Sequence, residues 1–161
     1  MIKRVLVHIC LVILLTALQT TWLHLPLVTP NLLLVFTLLI GLFEGAVIGG
    51  VYALVCGVFM DAFSGGPAFL NTLLFLYAAI GIGLVSNRVI SKTPFNGITL
   101  ITAFSSGYFL IYYFFSLVIW GEGYSFFRFL SILFVYALYS AAAATVLFFP
   151  VRRYIRRTPI L

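Results

Sequence analysis

Six apolar stretches, parted by short clusters of turn-forming and charged residues, make up nearly all of this sequence. They run roughly over residues 5–25, 30–43, 45–62, 67–87, 96–120 and 126–150. A helix needs about 20 apolar residues at ~1.5 Å rise to cross ~30 Å of hydrocarbon. The stretches are spaced and sized for that purpose. The 9 basic and 3 acidic side chains total 12, or 7% of the chain, against roughly a quarter in an ordinary globular domain. So few charges cannot cover a soluble sphere in water. A soluble enzyme, a disordered linker and a zinc-stapled module are excluded, and an all-α integral membrane protein is expected. Cys10 and Cys56 lie inside apolar runs and read as small buried hydrophobes.

The breakers set the number of crossings. His24-Leu25-Pro26 through Thr29-Pro30 ends the first stretch, with Thr29 as a cap and Pro30 in the first turn of the next helix. Asp61 to Pro67 reads as a loop, with Pro67 at a helix start. Ser86 to Gly97 is the longest polar connection, and Gly121-Glu122-Gly123 ends the fifth stretch. Phe43-Glu44-Gly45 is the weakest break. Without it residues 30–62 would form a helix about 50 Å long, while with it the two halves have only about 16 residues each. Charge parity decides. Six crossings place Lys3, Arg4, Arg88, Lys92, Arg152, Arg153, Arg156 and Arg157 on one side and leave Arg128 on the other. Five would move the four C-terminal arginines outside. The positive-inside bias therefore predicts six transmembrane helices in a single domain, with both termini cytoplasmic. Trp22 and Trp120 then fall at the outer interface, and the net charge of +6 is topological and implies no nucleic-acid partner. Lys3-Arg4 followed by an apolar run also fits a cleaved leader. The reach of that run to Trp22, without a small-x-small site, favours a span.

Reactive chemistry is sparse. Glu44 and Asp61 stand at span ends, His8 one turn into the first span and His24 at the outer rim. A coupled transporter places carboxylates near the midplane, and none is expected there. No metal-ligand spacing, phosphate loop or nucleophile motif is present. Ser105-Ser106-Gly107 lies mid-span without a nearby histidine or lysine and reads as helix packing. No enzyme activity and no cofactor are expected.

The most informative pattern is a row of small residues. Gly41, Gly45, Gly49, Ala53 and Gly57 recur every four positions and lead to Asp61. Such rows let helix backbones approach closely in lipid. They serve either packing inside this bundle or docking of a partner's transmembrane helix. Ala79/Gly83, Ala103/Gly107, Ala137/Ala141 and Ser140/Ala144 form similar notches. The Asp61 carboxylate is expected to accept the backbone N–H groups of Ser64 and Gly65, with Gly66 and Pro67 completing a periplasmic loop. Glu44 marks the cytoplasmic turn, and Arg128 reads as an interfacial arginine paired with Glu122. Arg152, Arg153, Arg156 and Arg157 share one face of a continuing helix and form a cytoplasmic anchor on anionic lipid. Tyr108, Tyr112 and Tyr113 either line a cavity or pack within the bundle.

Over residues 30–88 the sequence resembles the rod shape-determining protein MreD family. The resemblance rests on Pro30-Asn31-Leu32-Leu33-Leu34, the Gly-Leu-Phe-Glu-Gly turn, the glycine-striped third span and Met60-Asp61-Ala62-Phe63-Ser64-Gly65-Gly66-Pro67. It departs at Asn31, where the family often has Asp, at the acidic turn residue Glu44, and at Ala68-Phe69 in place of Leu-Gly. The resemblance implies a non-enzymatic component of the bacterial elongation machinery in the inner membrane. Such a component binds MreC in an assembly with RodA, a class B penicillin-binding transpeptidase and MreB, and helps position peptidoglycan synthesis. It also implies a fold like the substrate-binding subunits of energy-coupling-factor transporters. The alternative function is therefore a vitamin-binding subunit, with a polar cavity lined by Tyr112, Tyr113 and Arg128.

Overall fold

A computed structural model describes residues 11–19, 31–64, 69–89, 93–121 and 125–157. All regular structure among them is helical: α1 (11–19), α2 (Leu32–Glu44), α3 (Ala46–Ser64), α4 (Leu70–Val89), α5 (Pro94–Trp120) and α6 (Phe126–Arg157). Three segments, Ala46–Phe63, Pro94–Val118 and Phe126–Arg153, are long and apolar enough to cross a membrane, and α2 and α4 are shorter apolar helices. The described residues are thus all-helical, with the length and composition that suit a membrane protein.

At its centre lies α2. Every residue from Leu32 to Leu42 is buried, and α3, α4, α5 and α6 all contact this helix. A helix that is apolar all round has no wet face to offer. At 13 residues, or about 20 Å, it is also too short to meet lipid along a full span. Encasement by longer helices resolves both constraints. Its N-cap is Asn31, whose Oδ1 accepts the Leu34 N–H at 3.0 Å. The cap expected at Thr29, with Pro30 in the first turn, therefore gives way to a start at Leu32. Thr29 and Pro30 lie outside the described residues. The Leu32 N–H donates to Gln19 Oε1 at 3.1 Å, and Gln19 Nε2 reaches Met60 Sδ at 3.7 Å. Gln19 thus fastens α1 to the start of α2 and the end of α3.

One residue separates α2 from α3. Gly45 has φ +94°, and its N–H donates to the Gly41 carbonyl at 3.1 Å. Only glycine adopts this backbone without strain. The chain folds straight back, so that Phe36 meets Tyr52 edge-on at 6.4 Å. Gly45→Ala should cost about 1–2 kcal/mol, read as a melting temperature lowered by several degrees in detergent.

Helices α5 and α6 form a second hairpin, turned at Gly121 with φ +67°. An aromatic ladder holds it: Phe109 stacks on Tyr136 at 4.8 Å and Tyr113 lies 4.5 Å from Phe129. Helix α6 runs through Pro150 to Arg157 over 32 residues. The arginine-rich tail therefore continues the last helix, as its spacing predicts.

Candidate functional site

The residues singled out by spacing converge on one unit, α2–α3–α4. Because the chain reverses at Gly45, Gly41 and Gly49 do not share a helix. They face each other across the hairpin. A Cβ on Gly49 would lie 2.5 Å from the Gly41 Cα, and one on Gly41 would lie 2.7 Å from the Ala79 carbonyl oxygen. Further along, a Cβ on Gly57 would lie 2.4 Å from the Thr72 Cα. At the other end a Cβ on Gly83 would lie 2.5 Å from the Ala46 nitrogen. Ala53 and Ala79 are fully buried. The small-residue row is thus consumed by α2 and α4. Packing within the chain is what Gly45, Gly49, Ala53 and Gly57 do, and no partner helix fits on that face.

Asp61 closes the unit at the opposite end from Gly45. Its Oδ1 accepts the Asn71 N–H at 3.1 Å, and its Oδ2 accepts the Thr72 N–H at 3.0 Å and the Thr72 hydroxyl at 2.6 Å. These donors lie ten and eleven residues on, in the first turn of α4, and they differ from the expected Ser64 and Gly65 amides. The first turn of a helix offers N–H groups with no partner of their own, and the helix dipole favours a negative charge there. An aspartate from α3 therefore caps α4 from outside. Ser64 ends α3, while Gly65, Gly66 and Pro67 lie outside the described residues. Helix α4 begins at Leu70, three residues after the proline expected to start it. Phe69, just before it, holds φ +67°. Fully buried Asn71 extends the network by accepting the Tyr108 hydroxyl on its Oδ1 at 2.6 Å, which joins α5 to the cap. Asn71, Thr72 and Gln19 escaped sequence reasoning. Two adjacent polar residues opening an apolar span were the available signal at 71–72.

The tyrosines pack. Tyr108 lies edge-on to Phe75 at 5.5 Å and stacks on Tyr112 at 5.9 Å, and Tyr113 belongs to the α5–α6 ladder. A groove of about 410 Å³ opens between α4 and α5, lined by Leu74, Tyr77, Ala78, Ala103, Gly107 and Ile111 among others. It is apolar, and Tyr112, Tyr113 and Arg128 take no part in it. Glu122 lies outside the described residues. At the hairpin end Ser86 Oγ donates to the Leu42 carbonyl at 3.0 Å. Phe43 packs on Phe148 at 5.2 Å, and the Arg152 guanidinium lies 5.8 Å from the Phe148 ring centre. Arg153 is exposed, and the side chains of Arg156 and Arg157 lie outside the described residues. Among the described residues no group of three His, Cys, Asp or Glu side chains is placed to hold a metal ion. No known protein family, curated protein or solved structure matches this chain.

Proposed function

We propose that this protein is a non-enzymatic scaffold of the bacterial cytoplasmic membrane. In this reading it crosses the membrane six times with both termini cytoplasmic, binds MreC, and helps position peptidoglycan synthesis during rod elongation. RodA, a class B penicillin-binding transpeptidase and MreB belong to the same assembly. One observation carries the reading. The segment that resembles the MreD family, residues 30–88, is also the segment that packs as α2–α3–α4, and its marked residues are spent on helix contact and capping. A chain whose distinctive residues hold its own helices together suits a part that is bound rather than one that turns over a substrate. Docking on the glycine face is not part of the proposal, since α4 fills it. A partner helix engages another face. The basic end of α6 meets anionic lipid, where each basic group near the surface contributes about 1 kcal/mol.

Depletion in a rod-shaped native host tests the role. Cells are expected to round up with scattered wall synthesis, and tagged protein is expected to co-purify MreC. Unchanged shape, or a growth requirement for a vitamin, would overturn the proposal.

A further inference from the structure

The membrane-length apolar segment of α5 begins at Pro94, and that of α6 ends at Arg153. Contacts around Phe148 bring these two ends to one level. Phe148 is fully buried. A Cβ on Gly97, closing the first turn of α5, would lie 2.7 Å from its ring, and Phe43 of α2 packs on it at 5.2 Å. One turn further along α6, the Arg152 guanidinium lies 5.8 Å from the centre of the same ring. A cation seated on a ring is attracted by its face. It has lost part of its side-chain freedom, and its planar N–H fork matches a phosphate.

Charge at this end is one-sided. The Ser86 bond to Leu42 places the close of α4 here as well. Arg88, Lys92, Arg152, Arg153, Arg156 and Arg157 therefore gather in or beside the ends of α4 and α6, and Glu44 is the one acid among them. Helix α5 adds the positive end of its dipole, and the Thr93 side chain does not cap it. Large apolar side chains flank the charges: Phe95 is 79% exposed and Phe149 is 61% exposed.

We propose that Arg152 and Arg153, beside the start of α5, bind the phosphate of one anionic phospholipid, with Phe95 and Phe149 against its acyl chains. Charge complementarity calls for an anion. The exposed phenyl rings and the level of the site call for one that carries its own hydrocarbon. A soluble phosphate would leave the rings unused, and an acidic peptide would have to reach down to where two spans end. Basic pockets between transmembrane helices take lipid headgroups in this manner. The proposal rests on the reading that the basic end of α6 meets anionic lipid, and replaces a diffuse attraction with one held molecule. It does not depend on a role in wall synthesis.

Native mass spectrometry of the full-length protein in detergent counts the lipid. Dioleoyl phosphatidylglycerol should be retained at one per chain, about tenfold more tightly than phosphatidylcholine with the same chains. Arg152→Gln should remove about that preference, and Arg152→Lys most of it, because an ammonium lacks the planar fork. Arg157→Ala should lower it by less than about threefold, since its charge acts at a distance. Should Arg152→Gln fail to fold, Arg152→Lys keeps the charge and carries the comparison. Equal losses in Arg152→Lys and Arg157→Ala would overturn the bound site and leave the diffuse anchor standing. Equal retention of the two lipids would overturn both. Release of phosphatidylglycerol by millimolar inorganic phosphate would overturn the proposal in favour of a soluble anion. Release by a glutamate-rich peptide would overturn it in favour of a cytoplasmic protein.

Discussion

Gly57→Ala, the addition of one methyl group, should leave little folded protein. The new carbon would stand 2.4 Å from the Thr72 Cα and 3.1 Å from the Thr72 nitrogen. These are backbone atoms that no rotamer change can move. Relief would require α4 to retreat from α3, and α4 is pinned there by the grip of Asp61 on the Asn71 and Thr72 amides. Overpacking ordinarily costs 1–3 kcal/mol. Here the loss of those hydrogen bonds is added, for a total of about 4 kcal/mol or more. A melting temperature lowered by about 10 °C, or loss of the monodisperse peak in detergent, is the expected readout. Gly107→Ala is the control. Nothing lies within 4 Å of the position its Cβ would take, and alanine gains about 0.5–1 kcal/mol over glycine inside a helix. Equal behaviour of the two variants would show that α3 and α4 do not touch as described.

Asp61→Ala should rank next. Both carboxylate oxygens are engaged, one by an amide and the other by an amide and a hydroxyl. Truncation strands all three donors at the head of α4, at about 1–3 kcal/mol for each buried group left unpaired, and removes the favourable charge from the helix end. A loss of about 3–5 kcal/mol follows from these terms. Asp61→Asn keeps one acceptor but turns an NH₂ group toward the second set of donors, so it should fall between the parent and Asp61→Ala. Thermal unfolding of the three proteins gives the order. If asparagine matched aspartate, the carboxylate would serve only a local turn and the cap on α4 would be refuted.

Much of the bundle was legible in the chain. The starts of α3, α5 and α6 lie within two residues of the expected ones, because proline, glycine and aromatic residues punctuate those stretches clearly. What spacing could not show was direction. Gly41 and Gly49 look like members of one stripe until the left-handed turn at Gly45 sets them face to face. The donors to Asp61 were hidden for a similar reason, since the nearest amides in sequence are not the nearest in space. The burial of α2 was illegible in principle. A helix facing lipid and a helix facing protein are both apolar, and composition does not separate them.

The encasement of α2 has a consequence for how the protein is made. Its 13 residues are too few to halt in a bilayer as an independent segment leaving the insertion machinery. Its single-residue link to α3 allows no pause between the two. The pair is therefore expected to enter the membrane as one unit, and α2 gains its contacts with α5 and α6 only once those later-synthesised helices are made.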